Sequence, residues 1–517
     1  MTLTALPAAV AARPEDGPAP GAQTQAVSAA EGARPLCVDL DGTLALQDTL
    51  HEVFWKALLR APLGVVDALA AALTDRAEMK TRLAAIAAPE PALIAWRPAL
   101  LEALRAEKAK GRRLVLATGA HQSVAEAVAA ELDLFDEAIG SRDGVNLTGR
   151  NKAAALVERF GVKGFDYVGD SAKDLEVWPD AAEAWLAGDA ISPGRVVEVA
   201  GAPVTRRFTE PRSGDLSDWL KAMRLYQWVK NGLVFIPALA AGALLDPGVF
   251  AAAAVAFLCF SLVASAGYLI NDLVDLDSDR RHPRKRERPF AAGRIGVMSG
   301  AAGAVGLIAA GLIGAALLSG TLFIVLALYL GASFLYSFSL KRVAVFDVFT
   351  LAGLYCLRLF AGGVATDIEL SVWLLSFSGF LFLSLGCLKR VGEMVGADAE
   401  AKTRGRGYQA GDAAPMAALG LSIGVASVII FTLYINSPQA QAVYEAPGYL
   451  WGVAPFFLLW LSRLWLMAWR GKVRDDPILT VLRDPASWLL LLFGLTLLRF
   501  AHGPPEGLSW SDFNLGF

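Results

Sequence analysis

The chain is poor in the residues from which thiolate metal sites and disulfide frameworks are made. Its 517 residues include four cysteines, Cys37, Cys259, Cys356 and Cys387. Each sits in an apolar run and none is paired or in CxxC spacing, so neither a disulfide framework nor a zinc site is expected. G-x-G-x-x-G and P-loop patterns are missing, and so is any pattern typical of nucleic-acid binding, so no nucleic acid is expected as a partner. Residues 1–33 are rich in Ala, Pro, Gln and Gly but lack the unbroken apolar core of a signal peptide, being interrupted by Pro7, Arg13-Pro14 and Glu15-Asp16. They are expected to be a disordered tail that directs no export. The net charge of −3 averages over two dissimilar halves and says little about partners.

What is abundant is apolar sequence, 55% of residues with a mean hydropathy of +0.46. It is concentrated from about residue 232 onward in blocks of roughly 18 to 24 residues, each long enough to span a bilayer. Hydropathy suggests nine spans: about 230–246, 249–271, 296–318, 321–340, 345–366, 370–389, 413–435, 448–468 and 485–502. If the N-terminus is cytosolic, the inward segments 272–295, 341–344, 390–412 and 469–484 hold nearly all the Lys and Arg of this half, and the outward ones hold none. That asymmetry predicts the orientation. The domain boundaries expected are 34–200 for an α/β unit with an inserted helical cap at about 48–92, 201–222 for a linker, and 223–517 for an all-α membrane unit.

The most informative stretch runs from Asn271 to Gly293, NDLVDLDSDRRHPRKRERPFAAG. On a helix, Asp272, Asp275 and Asp279 fall within about 60° of one another while Asp277 points away. Three like charges on one face favour a bound cation, and oxygen-only ligands open to water suit Mg2+ held together with substrate phosphates. The basic residues that follow suit the phosphates themselves. This stretch resembles the first aspartate-rich motif, NDxxDxxxD, of the UbiA superfamily of intramembrane prenyltransferases. Its extension through Asp279-Arg280, His282-Pro283, Lys285-Arg286 and Arg288-Pro289 resembles the polyprenyl-phosphate phosphoribosyltransferase branch, as does Gln227-Trp228-Val229-Lys230-Asn231 at the entrance to the first span.

Taken singly, Trp228 and Lys230 also suit an interfacial aromatic and a snorkelling cation. The resemblance implies that Lys230, Asn231, Asn271, Arg280, His282, Lys285 and Arg288 face substrate. The loop after the sixth span carries Lys389-Arg390, Glu393, Arg404, Arg406 and Tyr408 in place of the superfamily's second DxxxD, which suggests a mixed site in which Glu393 completes a second Mg2+ site and the cations take phosphate. Lys341, Asp347 and the intramembrane Arg358 are candidates because a charge at that depth normally faces a polar cavity. Gly362-Gly363 and the Gly/Ala-rich third span suggest close helix packing.

In the N-terminal half, LCVDLDGTL places Asp39 and Asp41 at the carboxyl end of a strand, where open α/β sheets bind ligands. RRLVLATGAH then ends near Thr118, TGRNKAAALVERFG puts Lys152 at a helix start, and FDYVGDSAKDLEVW presents Asp170 and Asp174 after another strand. In this order they resemble the four motifs of the haloacid dehalogenase (HAD) superfamily, with a Rossmann-like fold and a small helical cap. The resemblance implies that Asp39 is the nucleophile and Asp41 the acid–base group, that Thr118 and Lys152 hold phosphoryl oxygens, and that Asp39, Asp170 and Asp174 bind Mg2+.

Together these resemblances imply a bifunctional enzyme of the bacterial inner membrane with its HAD unit and active-site loops cytosolic. The donor would be 5-phosphoribosyl diphosphate (PRPP) and the acceptor a polyprenyl phosphate of decaprenyl type; the HAD unit would remove the 5-phosphate of the product, leaving polyprenyl-phosphoryl ribose for envelope glycans. The rival expectation is a UbiA-type aromatic prenyltransferase of quinone or haem synthesis, against which the missing second DxxxD and the QWVKN string both argue. The sequence leaves open whether the chain forms a homo-oligomer.

Overall fold

Short, mostly apolar runs make the central strands of the sheet in the N-terminal half, as expected of strands covered by helices on both faces. The computed structural model describes residues 34–142, 144–209, 214–395, 407–473 and 476–503; the expected disordered tail, Arg404 and Arg406 lie outside them. Strands β1 (Leu36–Val38), β2 (Leu114–His121), β3 (Glu137–Ser141), β4 (Asp166–Gly169), β5 (Ala184–Ala187) and β6 (Val204–Phe208) form one parallel sheet in the order β3-β2-β1-β4-β5-β6. β1 lies between β2 and β4, with Leu36 in register with both Leu114 and Asp166. Strand order reverses at β1 and β4, and the crevice beyond their carboxyl ends is where such sheets bind ligands.

Between β1 and β2 the chain inserts the cap helices α1 (Thr49–Arg60), α2 (Pro62–Ala71) and α3 (Arg76–Ile86). Asp48 caps α1 and Asp75 caps α3 through their carboxylates, each satisfying a first-turn amide. Helices α4 (Pro98–Ala109), α5 (Gln122–Leu132), α6 (Arg150–Phe160) and α7 (Pro193–Ala200) cover the sheet, and separate apolar clusters fill its two faces.

After α8 (Leu216–Ala222) the first expected span takes an irregular form. Residues Leu225–Phe235 form 3-10 turns and α9 covers only Ile236–Ala240, so the first expected span is not one regular α-helix, yet it runs antiparallel along α10, Trp228 meeting Ser265, Asn231 meeting Ser261 and Phe235 meeting the Phe257 and Phe250 rings. Pro237 lacks the amide a continuing helix needs, and the buried Asn231 amide bonds Ser261 and Arg358. The remaining helices are α10 (Pro247–Val274), α11 (Leu276–Arg281), α12 (Val297–Leu318), α13 (Gly320–Phe338), α14 (Phe346–Thr366), α15 (Val372–Val395), α16 (Ala413–Ile435), α17 (Pro438–Val443), α18 (Val453–Trp469), α19 (Pro477–Arg483) and α20 (Pro485–His502). Among the described residues eight helices are long and apolar enough to cross a membrane: α10, α12 to α16, the Pro447–Trp469 segment that contains α18, and α20. Gly362 lets α14 meet the backbone of Val234 so closely that a Cβ there would overlap the Val234 carbonyl. This is the close packing expected of the Gly362-Gly363 pair.

The two halves are fastened together through α1. Glu52 accepts two hydrogen bonds from the Arg280 guanidinium at 2.7 and 2.8 Å, with both side chains 5% exposed. Trp55 donates its indole N–H to the Leu273 carbonyl at 3.1 Å and joins the apolar cluster formed by α8, α10 and α12, while Lys56 pairs with Asp277 at 2.7 Å. Beside them Arg281 pairs with Glu90, and Gln47 donates to the Ile295 carbonyl at 2.7 Å.

Candidate active sites

The turn after β1 carries Asp39 and Asp41 into a cavity of about 500 Å³ walled by the sheet end and by α1 and α3. Gly42 makes this turn with φ +77°, and a Cβ on it would run into the Asp170 carboxylate. Lys152, at the start of α6, donates to Asp39 Oδ1 at 2.7 Å and to the Tyr167 hydroxyl at 2.9 Å; that hydroxyl donates to Asp174 Oδ1 at 2.7 Å. Asp174 Oδ2 accepts from the amides of Asp170 and Ser171 at 3.1 and 2.9 Å, and Thr43 donates to Asp170 Oδ1 at 2.9 Å. Asp41 Oδ1 accepts from the amide and hydroxyl of Thr49, at 2.8 and 2.7 Å.

Thr118 is fully buried with its hydroxyl accepting from the Ala120 amide at 3.0 Å, and Gly119 and Ala120 form the cavity wall in its place. From the cap, Lys80 reaches the Gly119 carbonyl at 2.5 Å and Asn146 Oδ1 at 2.8 Å. Lys80 and Tyr167 went unforeseen, because neither falls on a motif position.

Oxygen ligands of Asp39, Asp170 and Asp174 lie within 4.8 Å of one another. Burial pushes the Asp39 carboxyl up to about 6 despite the opposing pull of Lys152. Burial, followed by the charge of Asp48, lifts Asp41 to about 7. Burial and then the charge of Asp174 lift Asp170 to about 7. Three carboxylates with one cation among them are costly to ionise together. Asp39 Oδ2 and Asp170 Oδ2 accept no hydrogen bond from a described residue, which leaves hard oxygen donors of the kind Mg2+ takes, and the cluster fits that ion.

In the membrane half a polar cavity of about 200 Å³ is lined by Lys230, Tyr268, Asn271, Tyr329, Tyr336, Tyr355, Arg358, Lys389 and Asp476, among others. The structure thus gathers Lys230, Asn271, Arg358 and Lys389 from four distant segments. Next to it, an open apolar groove of about 390 Å³ between α13 and α14, lined by Ala332, Gly353, Leu357 and Phe360, shares Leu354 with the polar cavity. Asp476 and the tyrosines were not foreseen. Asp476 pairs with Lys230 across 246 positions of chain, a contact that local spacing cannot reveal.

Asp272 and Asp279 share the Arg288 guanidinium, at 3.1 and 2.6 Å, and Asp272 also pairs with Arg224. Arg224, also unforeseen, adopts the left-handed conformation, φ +53°, and lies over the Tyr268 ring at 5.0 Å. The Asp275 carboxylate makes no hydrogen bond or ion pair with a described residue. Asp279 Oδ1 is buried without a hydrogen-bond partner, with Lys285 Nζ 3.7 Å away. The expected single face of three carboxylates is therefore two that converge and one that stands apart, because the helix is interrupted at Asp275 (ψ 9°). Free oxygens on Asp275 and Asp279 are the donor type a hard cation needs, but these three carboxylates are not gathered as the oxygens of Asp39, Asp170 and Asp174 are, and Arg288 would have to give way before all three could serve one ion.

Other expected substrate contacts are placed differently. Arg280 is occupied by Glu52 and is an interdomain tie. Asn231, 1% exposed, holds Arg358 at 2.9 Å, and Arg358 is further engaged by the Leu354 carbonyl and the Tyr329 hydroxyl. His282 is exposed, and its Nδ1 accepts from the amides of Arg284 and Lys285 in a surface turn. Arg390, 1% exposed, is enclosed by Asp347, by Glu393 at 2.5 Å and by Tyr336 at 2.8 Å, while Tyr408 donates to Asp347 at 2.5 Å. Glu393, Asp347, Arg390 and Tyr408 thus form an ion-pair network joining α14 and α15, where charges inside a low-dielectric bundle must compensate one another. Lys341 lies in a short 3-10 turn between α13 and α14, half-buried and outside both cavities.

The family model described as haloacid dehalogenase-like hydrolase matches residues 36–178, and that of the UbiA prenyltransferase family matches residues 233–483. Uncharacterized protein y4nM of Sinorhizobium fredii is 38% identical over 460 residues, covering 88% of this chain and 89% of that protein. Nodulation protein NoeC of Azorhizobium caulinodans is 34% identical, over 56% of this chain and 95% of its own length. A decaprenyl-phosphate phosphoribosyltransferase of Mycobacterium tuberculosis is 40% identical over 190 residues, 36% of this chain and 63% of that protein.

Proposed function

The chain belongs to the UbiA prenyltransferase family and carries a haloacid dehalogenase-like hydrolase domain ahead of its membrane helices, and from that premise we propose that it makes polyprenyl-phosphoryl ribose in two consecutive steps. In the first, the membrane half transfers 5-phosphoribosyl from PRPP to a polyprenyl phosphate. Lys230 and Lys389 take phosphate oxygens of the donor in the polar cavity. Asp272, Asp275 and Asp279 would hold Mg2+, which supplies neutralisation of the charge that grows on the departing diphosphate. The acceptor's tail lies in the groove between α13 and α14, and its phosphate, already anionic, attacks C1 without a general base.

In the second step Asp39 attacks the phosphorus of the 5-phosphate. Asp41, whose raised carboxyl keeps a proton near neutrality, gives it to the leaving oxygen and then takes one from water. Lys152 holds Asp39 and a phosphoryl oxygen, and Asp39, Asp170 and Asp174 would hold the Mg2+ of this site. The Lys/Arg asymmetry of the loops supports a multi-pass protein of the bacterial inner membrane with both sites cytosolic. The product suits a lipid-linked sugar donor for envelope glycans.

The observation that supports this reading is that the Asp39 cavity and the Asp272–Asp279 motif lie at the same end of the bundle, with the cap helix α1 lining the first and bonding Arg280 and Asp277 beside the second. The relative named decaprenyl-phosphate phosphoribosyltransferase supports the choice of donor and acceptor. Purified full-length protein given PRPP, polyprenyl phosphate and Mg2+ should release inorganic phosphate. In Asp39→Asn the phosphorylated lipid should accumulate; unchanged phosphate release by that variant would overturn the second step. Stabilisation by prenyl diphosphate and not by PRPP, read as Tm in Mg2+, would overturn the first.

A further inference from the structure

The loop between α18 and α19 brings a carboxylate into a cavity whose other charged lining residues, Lys230, Arg358 and Lys389, are all cations. Asp476 caps α19, its Oδ1 accepting from the Ile478 amide at 3.0 Å, and its Oδ2 accepts from Lys230 at 2.5 Å. It is 5% exposed and lines the polar cavity with Lys230, Arg358 and Lys389. Three cations suit the phosphates of a donor; a carboxylate beside them repels those same phosphates, and so weakens binding of any donor that offers only phosphate and hydrocarbon. The repulsion is offset where the donor brings O–H groups. A carboxylate has about four acceptor positions, two of which are used here, and sugar hydroxyls are the donors that fill the rest.

We infer that Asp476 accepts a ring hydroxyl of the sugar donor and is the residue by which this cavity prefers a sugar diphosphate to a prenyl diphosphate. The inference rests on the phosphoribosyl-transfer reading above and deepens it. A buried polar group built to meet a substrate hydroxyl discriminates strongly against an analogue that lacks it, because the group is then left unpaired. Asp476 would act by direct contact with the donor, independently of the aspartate motif, which holds the diphosphate end.

The test compares PRPP with its 2-deoxy and 3-deoxy analogues, using full-length protein in detergent with polyprenyl phosphate and Mg2+. In the wild type kcat/KM should fall at least about tenfold for one of the deoxy donors. In Asp476→Asn, which accepts through one weaker oxygen, PRPP should lose that advantage and the ratio should approach one. A variant slowed equally with all donors, its ratio kept, would show that Asp476 only clamps Lys230, and the inference would be wrong. Should Asp476→Asn fail to fold, the wild type decides alone: equal use of PRPP and both deoxy donors overturns the inference. A wild type that transfers nothing from any of these donors instead removes the phosphoribosyl reading, and the inference with it.

Discussion

Replacing Glu52 by Gln tests whether the cap is truly fastened to the membrane half. The pair it breaks is bidentate, at 2.7 and 2.8 Å, and enclosed, each side chain being 5% exposed. Removing one partner of such a pair leaves a buried charge uncompensated, at a cost of about 3–5 kcal/mol. The Arg280 guanidinium keeps one other acceptor, the Ala291 carbonyl at 3.2 Å, so the low end applies. About 3 kcal/mol is a factor on the order of 100 in the equilibrium by which α1 lifts from Leu273 and Asp277. Hydrogen–deuterium exchange of the α1 amides in the full-length protein reads that equilibrium directly. Exchange across α1 should accelerate on the order of 100-fold in Glu52→Gln, while amides of β1 and β2 keep their rates. The double variant Glu52→Leu with Arg280→Met should return most of the protection, since an apolar pair of similar volume suffers no desolvation. Acceleration below about threefold in the single variant, or none recovered in the double, would refute the reasoning and mean that Trp55 and Lys56 alone hold α1 down.

Three further outcomes follow from the geometry. Gly42→Ala should abolish most HAD-site turnover of a small phosphomonoester, because a non-glycine residue at φ +77° costs about 1–3 kcal/mol and its Cβ displaces the Asp170 carboxylate; wild-type activity there would exclude the tight turn. Arg288→Met removes the cation shared by Asp272 and Asp279, which is 30% exposed on its side chain, so about 1–2 kcal/mol after allowing for solvent. Its Tm should drop by a few degrees in EDTA and recover on adding Mg2+ by more than the wild type gains. Asp39, Asp41 and Asp170 have carboxyls raised to about 6, 7 and 7 in the folded state. The folded protein therefore binds more protons than the unfolded one between about pH 4 and 7, and stability must fall as pH rises through that window. Loss of HAD-site activity on heating in EDTA should come at higher temperature at pH 5.5 than at pH 8, and Mg2+ should shrink the difference; a reversed order would contradict the burial of the cluster.

How much could be read in advance differs between the two halves for physical reasons. Asp39, Asp170 and Lys152 were legible because a parallel sheet places its chemistry just after strand ends or at helix starts, positions that short apolar runs betray. The spans were legible from hydropathy; what it missed is the irregular form of the first, where Pro237 and a satisfied Asn231 break a run whose composition alone looks continuous. Charge pairing was not legible. Arg280 resembles a phosphate ligand until its partner, Glu52, 228 positions earlier, is seen. Arg390 and Glu393 resemble half of a metal and phosphate site until Asp347 and Tyr336 close around them. Asp476 carries no local signal at all, since its role depends on a cavity assembled from the Leu225–Phe235 segment, α10, α13, α14, α15 and the loop before α19.

The run of contacts along α1 has a consequence for anyone dividing this protein. Thr49 holds Asp41 of the upstream pocket; one turn on, Glu52 grips the membrane half, and Trp55 and Lys56 follow on the next turn. A cut in the linker would therefore not release a tidy soluble fragment. It would strip the shelf from beneath Trp55, strand an acid that had been neutralised, and loosen the very helix whose first residue steadies Asp41.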